Sequence, residues 1–507
     1  MSGRIFHEIP AKHTLSSPDQ TTVNFLDFPF DTYTSEMSVD QIENMLPNPI
    51  QNGTQMIYPE TMLVNSIPTS LHQTMPELSN GLVQRLHDIC FDIYRPMMGM
   101  VDQIRFETEL SHPTPTIQVQ ALSYAIAALG ALSVPELHCH VSNCYQQSRN
   151  LLDLCEREET GESLSNINTL QACTLLTIYE LKQPNFRRAW MSLGRTTRLA
   201  QMMGLGQSDG RPASVMTPQW SGPSPTPSLH NPVKTEEMRR TFWVLYILDG
   251  FASIITQSGV AFDQEINIPL PGRDVTIQEV VNNTDVTMPS LNVIFDPDVA
   301  GRVQISSLAG VVIMTHLYQR IVNHMNSSHN ASHNFWEVHY DINKSIELCR
   351  NTLMVEHLTN NSDDPVAVAL RMSMNTVDIM LHESALLRVH KEVLPVFLAN
   401  DAISRCTTAV KDIIDALQMG QLLPGRKLES FQQLNNFHTW PITSAIQTCC
   451  RFLQMRCDNM SLYIYAIRVL STSPTTKALV DENLIYGGLI EKANAMATEA
   501  EKSIPAS

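Results

Sequence analysis

The sequence predicts an all-α protein, a large irregular helical array preceded by a disordered acidic segment. From about residue 80 onward, apolar residues recur at three- and four-residue spacing, and the alternation typical of strands is scarce. No repeat of fixed period is visible, which argues against a regular solenoid. Because many helices occur without a parallel-strand pattern, we expect a body in which helices pack on helices.

Length and charge set limits on the class of protein. The chain has 507 residues, 43% of them hydrophobic, so it can bury a sizeable core. It carries 34 Lys and Arg against 51 Asp and Glu, a formal net charge of −17. This balance disfavours nucleic-acid binding over the whole surface, because phosphates attract clustered cations. The same net charge is compatible with a small basic module on an acidic body.

Residues 1–79 differ in composition from the rest and form the first predicted domain. They contain two basic and nine acidic residues, and they are rich in Pro, Thr, Ser, Asn and Gln. Too little apolar surface is available to offset chain entropy, so we expect disorder. Four apolar residues lie among acids, as in activation segments that bind a partner's groove: Phe25, Leu26, Phe28 and Phe30. The alternative is an arm that packs these residues on the body of the protein.

Residues 80–470 are predicted to form the second domain, a succession of helices, and residues 471–507 a C-terminal helix and tail. Leu82, Leu86 and Ile89 lie on one stripe of the first helix. Residues 133–136 have a capping-box sequence with Pro in the first turn, which predicts a helix to about Cys155. Further helices are predicted near residues 166–182, 185–204, 235–257, 302–325, 334–355, 366–391, 395–418, 440–470 and 475–500.

Three stretches interrupt the helical pattern. Residues 207–234 hold six prolines with Ser and Gly, and this composition predicts a flexible surface insertion. Residues 271–299 are acidic and β-branched without a clear period. Residues 326–334 form a loop of Asn, Ser and His.

Compartment signals favour the cytosol or the nucleus. The N-terminus lacks the apolar region of a secretory signal, and the apolar run of residues 121–134 is too short to span a bilayer. We therefore expect no membrane partner. The ten cysteines are scattered through helical segments without the spacing of a disulfide framework, which predicts reduced, mostly buried thiols.

No stretch carries the chemistry of a metal site or an enzyme. Two groups of candidate ligands are best interpreted as chance clusters: His138, Cys139, His140 and Cys144, and His316, His324, His329, His333 and His339. The chain has no Gly-x-Ser-x-Gly, His-Glu-x-x-His or Walker motif. Gly204 and Gly206 follow a helix, so they indicate a helix C-cap and not a nucleotide loop. We predict no catalytic residue, metal or cofactor in this chain.

The most informative region is residues 166–271. It is predicted to contain a helix, a short turn, a second helix, the Pro-rich insertion and a third helix. Glu236 and Arg240 form an i,i+4 pair on the third helix. Asp249 lies on an apolar face of that helix, where a lone buried carboxylate is costly. We expect Arg195 or Arg198 of the second helix as its partner. The alternative is that Asp249 lies in water at the edge of the face.

These blocks resemble the fungal-specific transcription factor domain, the helical regulatory region of zinc binuclear cluster regulators. The resemblance covers roughly residues 80–460 and is specific in its central blocks taken together. The residues that carry it are Tyr179, Glu180, Arg188, Trp190, Arg195, Arg198, Arg240, Phe242, Trp243, Asp249, Pro269 and Pro271. The sequence departs from the family pattern at the end of the third helix. Gly250 stands where the family often has Arg, and residues 257–259 replace a Gly-Arg-Pro.

The resemblance implies a nuclear transcription regulator, by family an activator, that controls a metabolic or secondary-metabolite gene set. Family members usually bind two zinc ions with six clustered cysteines before a basic linker. No cysteine precedes Cys90 here. We therefore expect DNA to be reached through a partner factor, or through a zinc cluster missing from this chain. The resemblance also implies the transcription machinery or a co-regulator as a partner, and a homo- or heterodimer.

Two alternatives belong to other classes: a helical small-molecule-sensing module and an enzyme without recognisable motifs. Because Met and aromatic residues are many, the helical body could hold an apolar pocket, although ordinary core packing explains them as well.

The arginines of the motif blocks are interpreted as internal packing and ion-pair residues and not as a DNA-binding patch. They are Arg187, Arg188, Arg195, Arg198, Arg239 and Arg240.

Overall fold

A computed structural model shows helices along most of the chain that it describes. The described residues are 78–94, 99–183, 186–206, 232–256, 260–262, 266–272, 277, 288–327, 334–355, 358, 365–421, 435–482 and 484–503. All of them belong to the unit Ile57–Ser507. The predicted disordered segment 1–79 lies outside the described residues, apart from its last two positions. The predicted insertion 207–234 also lies outside them, apart from residues 232–234, which begin a helix.

Sixteen α-helices occur within the described residues. They are α1 (Asn80–Ile93), α2 (Gln103–Leu110), α3 (Ile117–Leu132), α4 (Val141–Arg157), α5 (Ile167–Leu181), α6 (Phe186–Met202), α7 (Pro232–Thr256), α8 (Pro297–Ala300), α9 (Ser307–Ser327), α10 (Phe335–Leu348), α11 (Pro365–Lys391), α12 (Val396–Gln421), α13 (Asn435–Gln454), α14 (Met460–Thr472), α15 (Pro474–Glu482) and α16 (Leu484–Ser503). The only extended pairing in the described part is an antiparallel bridge between Pro269 and Ser290. The predicted all-α class is confirmed.

Short polar side chains fix where several helices begin. Asp102 accepts a hydrogen bond from the Arg105 amide at 2.7 Å at the start of α2. Asn166 accepts one from the Asn168 amide at 2.9 Å at the start of α5. Each bond satisfies an amide that has no partner within its own helix.

The structure divides three predicted helices. The helix expected from residue 133 to Cys155 is a 3-10 helix, Pro135–His140, followed by α4. The helix expected over 440–470 is two helices, α13 and α14. They are separated at Arg456 and Asn459, whose φ angles of 52° and 70° lie in the left-handed region that an α-helix cannot contain. The third, expected over 475–500, is α15 and α16.

Two hydrophobic clusters form the core. The first extends along the chain from Leu86 to Leu381, and the second from Val368 to Ala500. Helix α11 supplies buried residues to both. Helices α9 and α13 are in contact where Trp440 of α13 stacks on Tyr318 of α9, with ring centroids 4.4 Å apart.

The ten cysteines are all free, and seven of them are buried, which confirms the prediction of reduced, mostly buried thiols. Burial raises the pKa of the Cys144 thiol to about 11, so it is protonated at neutral pH. Among the described residues, no helix combines the length and the hydropathy that a membrane span requires.

Candidate functional site

The three motif helices, α5, α6 and α7, lie in the first cluster and are held by buried polar contacts. The Arg105 side chain of α2 donates to both oxygens of Glu237 on α7, at 2.6 and 2.8 Å. The Asp102 amide donates to Glu237 Oε1 at 2.9 Å. Gln171 of α5 donates to the Met100 carbonyl oxygen at 2.7 Å. Burial raises the pKa of the Glu237 carboxyl, and these donors act against that rise.

A second buried contact joins α4, α5 and α6 around Glu180. The Tyr145 hydroxyl donates to Glu180 Oε1 at 2.5 Å. Arg149 forms an ion pair with the same carboxylate and donates to the Ser192 hydroxyl at 2.6 Å. The Tyr179 ring stacks on the Tyr145 ring, with centroids 4.8 Å apart. The Tyr-Glu pair of the first motif block is therefore buried against α4.

The third motif helix forms an internal ion pair, as predicted. Arg240 Nε donates to Glu236 Oε1 at 2.8 Å, and Arg240 Nη1 donates to the Gly99 carbonyl oxygen at 3.1 Å. Arg239 also pairs with Glu236. Both arginines are internal, which confirms that part of the interpretation of the motif arginines.

Aromatic residues of α7 hold the extended segment that follows. Trp243 Nε1 donates to the Pro269 carbonyl oxygen at 2.9 Å. Phe242 packs edge-on against Phe262, with ring centroids 5.1 Å apart. Pro271 accepts a hydrogen bond from the Ser306 hydroxyl at 3.3 Å. The two prolines of the motif therefore connect α7 to the start of α9 through their carbonyl groups. Trp190 of α6 is half-buried against the same cluster.

Asp249 is buried, as predicted, but its partners are different. Its Oδ2 atom accepts hydrogen bonds from the amides of Ala261 and Phe262, at 2.7 and 3.2 Å. Arg195 instead forms an ion pair with Glu156, and Arg198 is exposed. The prediction of Arg195 or Arg198 as the partner of Asp249 is therefore wrong. Backbone amides stabilise a buried carboxylate as a guanidinium does.

Four of the motif arginines are not internal. Arg187, Arg188, Arg195 and Arg198 are all exposed along one side of α6. Arg188 lies over the Tyr145 ring, 5.4 Å from its centroid. Arg195 pairs with Glu156 and Arg188 packs on Tyr145, so these two keep the expected ion-pair and packing roles, although at the surface. For Arg187 and Arg198, which are exposed, the interpretation as internal residues is wrong.

The departure at Gly250 has a structural reason. A Cβ atom at this position would lie 2.3 Å from Thr315 Cγ2 of α9. Helices α7 and α9 therefore approach each other too closely for any side chain here. An arginine, frequent in the family at this place, would not fit this packing.

A polar cleft of about 530 Å³ lies between α9, α10 and residues 291–297. Phe295, His316 and Arg320 line one side, and Asp341 and Lys344 line the other. The guanidinium group of Arg320 bonds to Asp341 at 2.5 Å, which leaves the cleft with mixed charge. Sequence reasoning did not find this cleft, since its residues come from three separate segments.

The cleft contacts the motif helix α7 through one side chain. His316 Nδ1 lies 3.2 Å from the Tyr246 hydroxyl, which itself donates to Gln319 Oε1 at 2.7 Å. Because the hydroxyl proton is engaged with Gln319, we assign the imidazole proton to Nδ1, which leaves Nε2 as an acceptor. Burial lowers the pKa of His316 to about 4, so the ring is neutral at pH 7.

No three of the candidate metal ligands that the structure describes come together. Among the described residues, no group of three or more His, Cys, Asp and Glu side chains could hold a metal ion. His324, His339 and His382 are buried near one another, with ring centroids 6.1 Å apart for the first pair and 5.5 Å for the second. His329 and His333 lie outside the described residues, as do Phe25, Leu26, Phe28 and Phe30 of the predicted activation segment.

Comparison with known proteins gives one family match. The family described as the fungal specific transcription factor domain matches residues 87–355. Among curated relatives, the depudecin biosynthesis cluster-specific transcription activator of Fusarium langsethiae is 28% identical over 82% of this chain and 64% of its own length. The depudecin activator of Alternaria brassicicola is 30% identical over 74% of this chain and 58% of its own.

A third relative covers a similar part of the chain. The tropolone cluster transcription factor of Talaromyces stipitatus is 24% identical over 84% of this chain and 75% of its own length. The parts of the two depudecin activators that match this chain cover less than two thirds of their length. No solved structure gives a significant match.

Proposed function

Because the chain belongs to the fungal specific transcription factor domain family, we propose that it activates transcription of a secondary-metabolite biosynthetic gene cluster. The single observation that carries this proposal is the extent of similarity to cluster-specific activators, which reaches 82% of this chain. The similar region includes the buried contacts of α5, α6 and α7. By this proposal the helical body regulates activity and has no catalytic role.

The route to DNA and the site of action follow from the same proposal. The protein acts in the nucleus and reaches DNA through a partner factor or through a zinc cluster outside this chain. It works as a homo- or heterodimer and engages the transcription machinery or a co-regulator. The net charge of −17 supports an indirect route, because an acidic body attracts no phosphate backbone over its whole surface.

Deletion of the gene in its native organism tests the proposal. We expect transcripts from one contiguous set of biosynthetic genes to fall at least tenfold, and reintroduction of the gene to restore them. A rise of these transcripts would indicate a repressor, and no change in any cluster would contradict the proposal. Mapping the 5′ end of the transcript would then decide between the two routes to DNA.

A second candidate function, small-molecule sensing, is favoured by the cleft beside α9. It offers donors from Lys344 and an acceptor from His316, and it contacts the motif helix through Tyr246. Thermal-shift measurements with a panel of polar metabolites test this function, since a ligand stabilises the state that it binds. Asn351 also lines the cleft, so Asn351→Trp places a large ring in it. Support would be a compound that raises the Tm of the wild-type protein but not of this variant. Equal shifts in both proteins would contradict it.

A further inference from the structure

Helix α6 presents an unusual exposed surface for so acidic a protein. Met191 is 66% exposed and Met202 57% exposed. The four exposed arginines of the helix, Arg187, Arg188, Arg195 and Arg198, lie on the same side. We call these six residues the methionine–arginine seam. The opposite side of α6 is buried, with Ala189, Leu193 and Ala200 at most 1% exposed.

Helical geometry places the six side chains in a regular order. At about 100° per residue, all of them fall within an arc of about 100° over a length of about 22 Å. Across that arc Met191 and Met202 occupy the centre. Arg187 and Arg198 lie on one edge, and Arg195 and Arg188 on the other. The seam is therefore an apolar strip between two rows of cations.

The charge of the seam is only partly neutralised. Glu156 pairs with Arg195. Among the described residues, Arg187 and Arg198 form no ion pair, and both lie on the same edge. Two full positive charges thus face solvent beside an apolar strip, in a chain whose net charge is −17.

We propose that the methionine–arginine seam binds an acidic amphipathic peptide segment of a partner protein. Methionine side chains adapt to varied apolar partners, so Met191 and Met202 can receive leucine or aromatic side chains. The planar guanidinium groups of Arg187 and Arg198, on one edge, match carboxylates in bidentate geometry, and Arg188 and Arg195 add positive charge on the other edge. An amphipathic peptide with an apolar stripe beside acidic residues offers both features.

Other occupants fit the seam less well. A DNA backbone could use the arginines but not the two exposed methionines, and it would also meet the acidic surroundings. A second copy of α6 packed by two-fold symmetry would bring like charges together. The inference adds a class of partner to the proposed regulatory function, and its biological meaning rests on that function. Its test uses purified protein, so it can succeed or fail independently of any gene-expression result.

Fluorescence anisotropy with a labelled peptide tests the proposal on the full chain. The probe is a 20-residue peptide with Asp and Glu flanking a stripe of Leu and Phe at helical spacing. We expect micromolar affinity at low salt that weakens as salt rises. Double substitution of Arg187→Glu and Arg198→Glu should weaken binding at least tenfold, and Met191→Ala with Met202→Ala at least threefold.

A matched control carries the same charge change elsewhere. Lys411→Glu with Lys477→Glu alters two exposed lysines on α12 and α15, and we expect affinity within twofold of the wild type. Equal affinities for the wild type and the arginine variant would overturn the proposal, as would an absence of peptide binding by the wild type. A 20-base-pair duplex that binds through the same arginines more tightly than the peptide would show a nucleic-acid surface instead. Because Arg187 and Arg198 are exposed, the variants keep the fold, and their Tm verifies this.

Discussion

Arg105 and Glu237 form two hydrogen bonds across 132 residues of sequence, at 2.6 and 2.8 Å. The Glu237 side chain is completely buried, and the Arg105 side chain is 15% exposed. Since the amide of Asp102 also donates to Glu237, this carboxylate fixes the start of α2 against the motif helix α7.

Substitution Arg105→Ala should lower the free energy of unfolding by roughly 3 kcal/mol, because it leaves a buried carboxylate without its cation. Chemical denaturation measures this change. The control is Arg405→Ala, which removes an exposed i,i+4 pair with Asp401 and should cost less than about 0.5 kcal/mol. Similar losses in the two variants would mean that the buried pair has no special role.

Substitutions of Asp249 separate the contribution of its hydrogen-bond acceptor from that of its negative charge. Asp249→Ala should cost about 1–3 kcal/mol, because the amides of Ala261 and Phe262 lose their acceptor. Asp249→Asn keeps a side-chain oxygen in place and should cost less. Thermal melts of the three proteins give the order. If the Asn and Ala variants are equally unstable, the negative charge and not the acceptor is what these amides need.

Gly250 and Gly488 should respond in opposite directions to substitution by alanine. Gly250→Ala places a Cβ within 2.3 Å of Thr315 and should destabilise the protein by about 1–3 kcal/mol. Gly488 lies within α16 with nothing within 4 Å of such an atom, so Gly488→Ala should stabilise by about 0.5–1 kcal/mol. Differential scanning calorimetry compares the two. A stable Gly250→Ala protein would contradict the close approach of α7 and α9.

Buried histidines predict a loss of stability in acid. Burial, with nearby Arg405, lowers the pKa of His339 to about 4. Burial, with His339, Arg405 and Arg350, lowers that of His382 to about 3. In the unfolded chain both return to about 6.5. Between these values the unfolded state binds more protons, so stability falls as pH falls.

From pH 7 to pH 5.5 we expect a loss of roughly 1 kcal/mol for each of the two imidazoles. Denaturation at both pH values measures the slope. Substituting His339→Gln and His382→Gln together should flatten it, while His138→Gln, at an exposed histidine, should leave it unchanged. Identical slopes in all three proteins would show that other groups control the acid response.

The sequence predicted those features of the fold that depend on local pattern. The apolar period identified the motif helices, and the lone acid on an apolar face identified Asp249 as buried. Its partners could not be predicted, because the amides of Ala261 and Phe262 belong to an irregular segment without a period. The Arg105–Glu237 pair could not be predicted either. The two residues are 132 positions apart, and nothing in a single sequence indicates that they are in contact.

The error over Arg187 and Arg198 of α6 has a different cause. The signal for their exposure was present, because Ala189, Leu193 and Ala200 recur at helical spacing and mark the buried side. We interpreted these arginines as internal because aromatic residues lie close to them in the sequence. Small residues can form the buried side of a helix as well as large ones, where a neighbouring helix approaches closely.

The sharing of α11 by both hydrophobic clusters sets the size of a fragment that can fold by itself. The family match ends at residue 355, yet Val366, Leu370 and Val377 of α11 belong to the first cluster. A fragment of residues 87–355 would therefore expose to water the apolar surface that α11 covers. Since α11 also supplies buried residues to the second cluster, we expect the smallest stable fragment to include the helices up to α16.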